Sequence, residues 1–261
     1  MEAKKGRRKM KKFELITESI TNVAGKKLFR IKALIDFEDV KAGELGGYVE
    51  KEGNVSQDGN AWIFGNAKVF GNAKVFGNAR ISGDAWVFDD AKVFGDAKVF
   101  GDARISGDAW VSDDAKVFGD ARISGNAWAS GDAWVSGNAK VFGDARIFGN
   151  AWIFGNAEVS GDTEASGDAW VSGNAKVFGD ARIFGDADYT LIQGFGTEFR
   201  CTTFYRGKNK KIMVNCGCFH GDLEGFRKQV KETRSGKIAK EYLMIADLME
   251  NHFASEGSDD E

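Results

Sequence analysis

The sequence predicts a mainly β fold: a solenoid of short parallel strands with an N-terminal β cap and a small C-terminal α+β module. Three observations predict it. A six-residue unit, [V/I]-[F/S]-G-[N/D]-A-x, repeats 21 times between Ile63 and Asp188. Within each unit, period-2 alternation sets Ala and Val/Ile on one face and x and Phe/Ser on the other. The chain of 261 residues holds 34 Gly and no Pro, and most of the glycines recur before Asn or Asp, where a corner is needed. Collagen-like and Pro-rich disordered chains require both residues and are excluded.

In chain order, residues 1–12 carry seven basic side chains and are expected to form a solvated, disordered tail. Residues 13–62 hold two strand-like runs, Phe13–Glu18 and Leu28–Ile35, and then an irregular first coil. An open solenoid end exposes strand edges and an apolar lumen, so a cap is physically required there. Residues 63–188 are the repeat. The x position carries Lys, Arg, Trp or Glu and must face out, which sends Ala and Val/Ile inward. Departures are few: Asp89 and Asp113 stand for Gly, Ala129 and Ala165 for the aliphatic, and Thr163 for Ala. In residues 189–254, Phe199–Tyr205 and Lys211–Asn215 read as a hairpin across Gly207. Asp222–Thr233 and Lys237–Phe253 read as helices, with Asp222 as N-cap and Gly236 between them. Residues 255–261 form an acidic tail.

The hexads resemble those of the hexapeptide-repeat proteins, whose aliphatic residue points inward with a small residue two positions before it. That resemblance implies a left-handed parallel β-helix with three hexads per triangular coil, and hence about seven coils of 18 residues. The stretch LFRIKALIDFEDVKAGELGGYVEKEGNVSQ and the run TTFYRGKNKKIMVNCGCFHGDLEGF resemble uncharacterised bacterial and phage members, the YdcK-like group, some labelled acyltransferases. The resemblance transfers no established activity. It implies a setting in a bacterial or phage-infected cell, and three Cys without an export signal agree with a cytoplasmic location. No apolar run reaches the length of a membrane span.

The resemblance implies that the family's enzymes use a His on a coil, as acceptor base in acyltransferases or as zinc ligand in carbonic anhydrases. The two His here, His220 and His252, both lie outside the repeat, so neither mechanism carries over. Cys201, Cys216, Cys218 and His220 are four soft donors around one hairpin, open to a structural zinc site or to plain core thiols. No cofactor is expected.

The outward positions are more informative. All seven Trp occupy x positions and twelve Phe occupy the other outward position. Trp110, Trp128, Trp134, Trp152, Trp170, Phe142, Phe148 and Phe154 are the candidate interaction residues. Stacking along each flat stiffens it, and an aromatic, Arg-containing surface of this extent also marks an interface. Asp84, Asp102 and Asp120 stack on one edge and Asp144, Asp162 and Asp180 on another, as corner formers or as a carboxylate row for cations or DNA mimicry. The leading expectation is a non-enzymatic scaffold or interaction protein, self-assembling or bound to a host protein. Its alternatives are a mobile-element antagonist of a host system and an acyltransferase. Nucleic acid has only the basic tail and the acidic corners to recommend it.

Overall fold

The computed structural model describes residues 10–197, 199–208 and 210–254. The N-terminal strands β1 (Phe13–Thr21), β2 (Lys27–Ala33) and β3 (Leu45–Val49) form an antiparallel run. Two-residue strands then follow every six residues, from β4 (Trp62–Ile63) to β24 (Arg182–Ile183). Each pairs in parallel with the strand 18 residues on, so Lys98 lies between Arg80 and Lys116. The result is three sheets, called here flat I (from Trp62), flat II (from Lys68) and flat III (from Lys74). Strand β3 adds a level on flat II, and Val55 bridges to Val75 on flat III. The β-solenoid therefore has about eight turns, the regular coils preceded by the irregular one that the sequence predicts.

The inner face is as the alternation requires. From Ala61 to Ile183 the Ala and Val/Ile side chains are at most 1% exposed and form one continuous core. The corner glycines adopt positive φ, and at Gly161 (φ 72°) an added Cβ would stand 2.7 Å from the Gly179 carbonyl oxygen. Asp89 and Asp113 enter the same left-handed region, at φ 59° and 56°, which Asp tolerates better than most residues. Their carboxylates accept from the corner amides of the next coil, Gly107 and Gly131, each at 3.3 Å. Two of the remaining departures flank Glu164. Thr163 adds bulk where Ala165 removes it, and the buried Thr163 hydroxyl donates to the Ser160 carbonyl at 2.7 Å.

Both rod ends are closed by polar side chains that replace the missing coil. At the start, the Ala61 and Gly59 carbonyls accept from Lys12 Nζ at 2.8 and 3.2 Å. Lys12 is thus buried at the rod mouth, 2% exposed, and is not part of a solvated tail; residues 1–9 and 255–261 lie outside the described residues. The buried Asn54 carboxamide donates to Gly71 and Ala73 carbonyls and mends the irregular coil. At the far end, amides that would donate to a further coil find side-chain oxygens instead. Ser172 N–H donates to Tyr189 Oη at 3.2 Å, Lys176 N–H to Thr203 Oγ1 at 3.0 Å and Phe184 N–H to Asp188 Oδ2 at 2.8 Å. Asp188 immediately precedes, and Tyr189 and Thr203 belong to, the C-terminal module, a four-stranded antiparallel sheet of β25 (Tyr189–Phe195), β26 (Arg200–Arg206), β27 (Ile212–Cys216) and β28 (Phe219–Asp222). Helices α1 (Leu223–Thr233) and α2 (Gly236–Phe253) cover its other face through Phe226, Val230, Ile245 and Met249. Asp222 caps α1 by accepting from Gly225 N–H at 2.9 Å. Among the described residues no helix is long and apolar enough to cross a membrane.

The two end plugs predict a pH optimum. Burial lowers the Lys12 ammonium from 10.5 to about 8. The unfolded chain therefore binds more protons between those values, and stability rises with pH across that window. At the far end the Tyr205 hydroxyl accepts from Phe178 N–H at 3.4 Å, and burial raises this phenol from 10.0 to about 12. The unfolded chain loses its proton first, and stability falls as pH climbs through that range. The thermal midpoint is expected to climb above pH 8, peak near pH 10 and then decline. In Lys12→Met the rising limb should vanish, which melting curves across this range would register.

Candidate interaction surface

With Ala and Val/Ile buried inside, the x residue and the Phe/Ser residue of every hexad project from the flats. The eight candidate residues do not share one face. Trp134, Trp152, Trp170 and Phe154 stand on flat I, Trp110, Trp128 and Phe148 on flat III, and Phe142 on flat II. Trp62, also an x residue, is fully buried, because the loop after β2 folds back over it and sets Phe37 against its indole at 5.4 Å.

Stacking operates as expected. Trp110 and Trp128 lie 4.9 Å apart at 4° between planes, and Trp134 and Trp152 4.6 Å apart at 5°. Trp170 continues the second stack at 5.5 Å. The first two pairs are nearly parallel, whereas the Trp170 ring tilts 34° from Trp152. Cations add to the stacking: Lys92 lies 4.3 Å from the Trp110 ring centre and Lys116 4.7 Å from that of Trp134. Even so, Trp152 and Trp170 remain 38% and 47% exposed. Stacking orients these rings without covering them.

The flats differ in how they settle their charge. On flat II Glu158 joins Lys140 at 2.8 Å and Lys176 at 3.4 Å, and the hydrogen bond from Lys140 leads in holding its carboxyl below the usual range. On flat III Arg182 meets Glu164 at 3.5 Å. Flat I has no such closure in its middle. Arg80 is held by Glu38 and Asp39 of the cap loop, whereas Lys98 and Lys116 have no ion pair among the described residues. The sequence holds no periodic signal for that cap-loop clamp on Arg80.

The corner columns line up as predicted, and several of their carboxamides donate to the next level. Asn126 reaches Asp144 at 2.8 Å, and Asn138 and Asn156 link onward at 3.2 and 3.1 Å.

The thiol cluster separates over two faces of the module sheet. Cys216 faces the helices and accepts from Thr202 Oγ1 at 3.1 Å. Cys201 alternates with Thr203 and Tyr205 toward the rod, where burial raises its thiol. Gly217, at φ 62°, turns the chain between β27 and β28, so Cys218 sits exposed in a turn. His220 packs toward the rod end, its Nδ1 3.3 Å from Tyr205 Oη. Among the described residues no three His, Cys, Asp or Glu side chains are arranged to hold a metal ion. No protein-family model and no curated protein matches the chain.

Proposed function

We propose that this protein is a non-enzymatic scaffold that self-associates laterally through its outward aromatic flats. The observation that carries this reading is the Trp134–Trp152–Trp170 stack, in which Trp152 and Trp170 stay more than a third exposed. Contiguous exposed aromatic surface of this kind belongs to interface centres. The hexads and the CysGlyCysPhe run (Cys216 to Phe219) resemble bacterial and phage repeat proteins, and we place the scaffold in that setting, in the cytoplasm of the cell. Light scattering coupled to size exclusion tests the reading over a dilution series. The expected mass exceeds the 28.4 kDa of one chain at high concentration and falls toward it on dilution. A single-chain mass at every concentration would overturn it.

A further inference from the structure

We infer that flat I is a self-complementary face on which a second copy of this chain docks antiparallel, about a twofold axis between the levels of Lys116 and Trp134. The inference rests on the self-association reading and names its interface. The outward column of flat I runs Arg80, Lys98, Lys116 and then Trp134, Trp152, Trp170: three cations followed by three indoles. The corner column on its trailing edge runs Asp84, Asp102, Asp120 and then Asn138, Asn156, Asn174, three carboxylates followed by three carboxamides. Both columns invert at the same level.

A twofold axis lying in the flat, perpendicular to the rod, keeps each column facing itself and reverses its levels. Lys98 of one copy then meets Trp152 of the other, and Lys116 meets Trp134, each contact made twice by symmetry. Along the edge, Asp102 faces Asn156 and Asp120 faces Asn138. Asn156 already gives one N–H to Asn174 and keeps a second for the facing carboxylate. In the neighbouring outward column Phe100 faces Phe154. The one like-charge approach, Asp114 with Asp132, lies beside Lys116. Docking the copies parallel sets equal levels together and brings Asp102 and Asp120 onto Asp96 and Asp114, carboxylate against carboxylate. Charge therefore selects the antiparallel pair.

The unbroken parallel register from Arg80 to Trp170 keeps levels in step over the face, roughly 24 Å long. Arg80, already clamped by Glu38 and Asp39, closes the end without a new pair. Such a face buries an area at the low end of what a stable pair needs, about 1,200 Å² in total, so the dimer is expected to dissociate on dilution.

Charge-swap complementation on the full chain tests the geometry. Lys98→Glu and Trp152→Lys are each expected to weaken dimerisation at least about tenfold in sedimentation velocity. Mixed together they should form a one-to-one heterodimer. The introduced carboxylate then faces the introduced ammonium, and the remaining Lys98 faces the remaining Trp152. Arg122→Glu on flat II should dimerise like the wild type, and matching circular dichroism melts confirm that all variants fold. Undisturbed dimers in both flat I variants would overturn the face while leaving self-association standing. Weakened variants that fail to rescue each other would overturn the antiparallel register. A wild-type chain that is monomeric throughout would remove the reading beneath both.

Discussion

Replacing Trp62 by alanine is expected to destabilise the protein by about 3–5 kcal/mol, far more than its place in the repeat suggests. Every other Trp in an x position lies at least partly in solvent, but Trp62 is fully buried beneath the cap. Phe37 and Phe13 meet its ring edge-on at 5.4 and 6.1 Å. The indole therefore joins the cap to the first regular coil, and its loss reopens the apolar lumen at the end Lys12 seals. Trp62→Phe should cost much less, about 1 kcal/mol. The buried Nε1–H has no hydrogen-bond partner among the described residues, so removing it forfeits no bond and relieves an unmet donor. Trp152→Ala is the control: a ring 38% exposed should change stability by about 1 kcal/mol or less. Urea unfolding of the three variants reads the order directly. Equal losses for Trp62→Ala and Trp152→Ala would mean that the cap is not coupled to the rod.

The contrast between these two tryptophans shows what the sequence could reveal. Inside the repeat, each hexad states its own geometry and its neighbours repeat it, so β4 to β24 occupy the expected x-aliphatic pairs. The levels of flat I, and the inversion at Lys116 and Trp134, follow from counting in steps of 18. Outside the repeat, position depends on contacts without a period. Nothing local announces that Phe37 returns to cover Trp62, or that Lys12 abandons water for two carbonyls. The module shows the same limit. Strand β28 has no local signal, because Gly217 turns the chain immediately after Cys216 and sets Cys216 at a strand end and Cys218 in a turn. That reversal is also why the apparent donor set of Cys201, Cys216, Cys218 and His220 does not converge. Periodic signals fix facing; they say nothing about which aperiodic segment will fold over which face.

Within the lumen, the largest single-site effect is expected at Ile147. Its column on flat III runs Val111, Ala129, Ile147, Ala165, Ile183. Ile147 thus sits between two alanines and fills space that neither neighbour occupies. Ile147→Ala would leave three alanines in succession around one void. The walls cannot close on it, because the ladder holds each level: Ser130 N–H donates to the Ile147 carbonyl at 2.9 Å, and Phe148 N–H to that of Ala165 at 3.0 Å. Cavity cost grows with the volume left unfilled, which puts this variant at about 4 kcal/mol. Ile123→Ala removes the same atoms but stands between Ile105 and Val141, larger side chains that can lean into the gap, so about 2–3 kcal/mol is expected. Adding Ala129→Ile to Ile147→Ala returns volume to the adjacent level of the same column. Contacting sites couple, and the double variant should recover about 1–2 kcal/mol. Calorimetric or urea-derived stabilities that ranked Ile123→Ala above Ile147→Ala, or found no recovery, would show that the lumen relaxes around its voids and that the ladder does not hold it open.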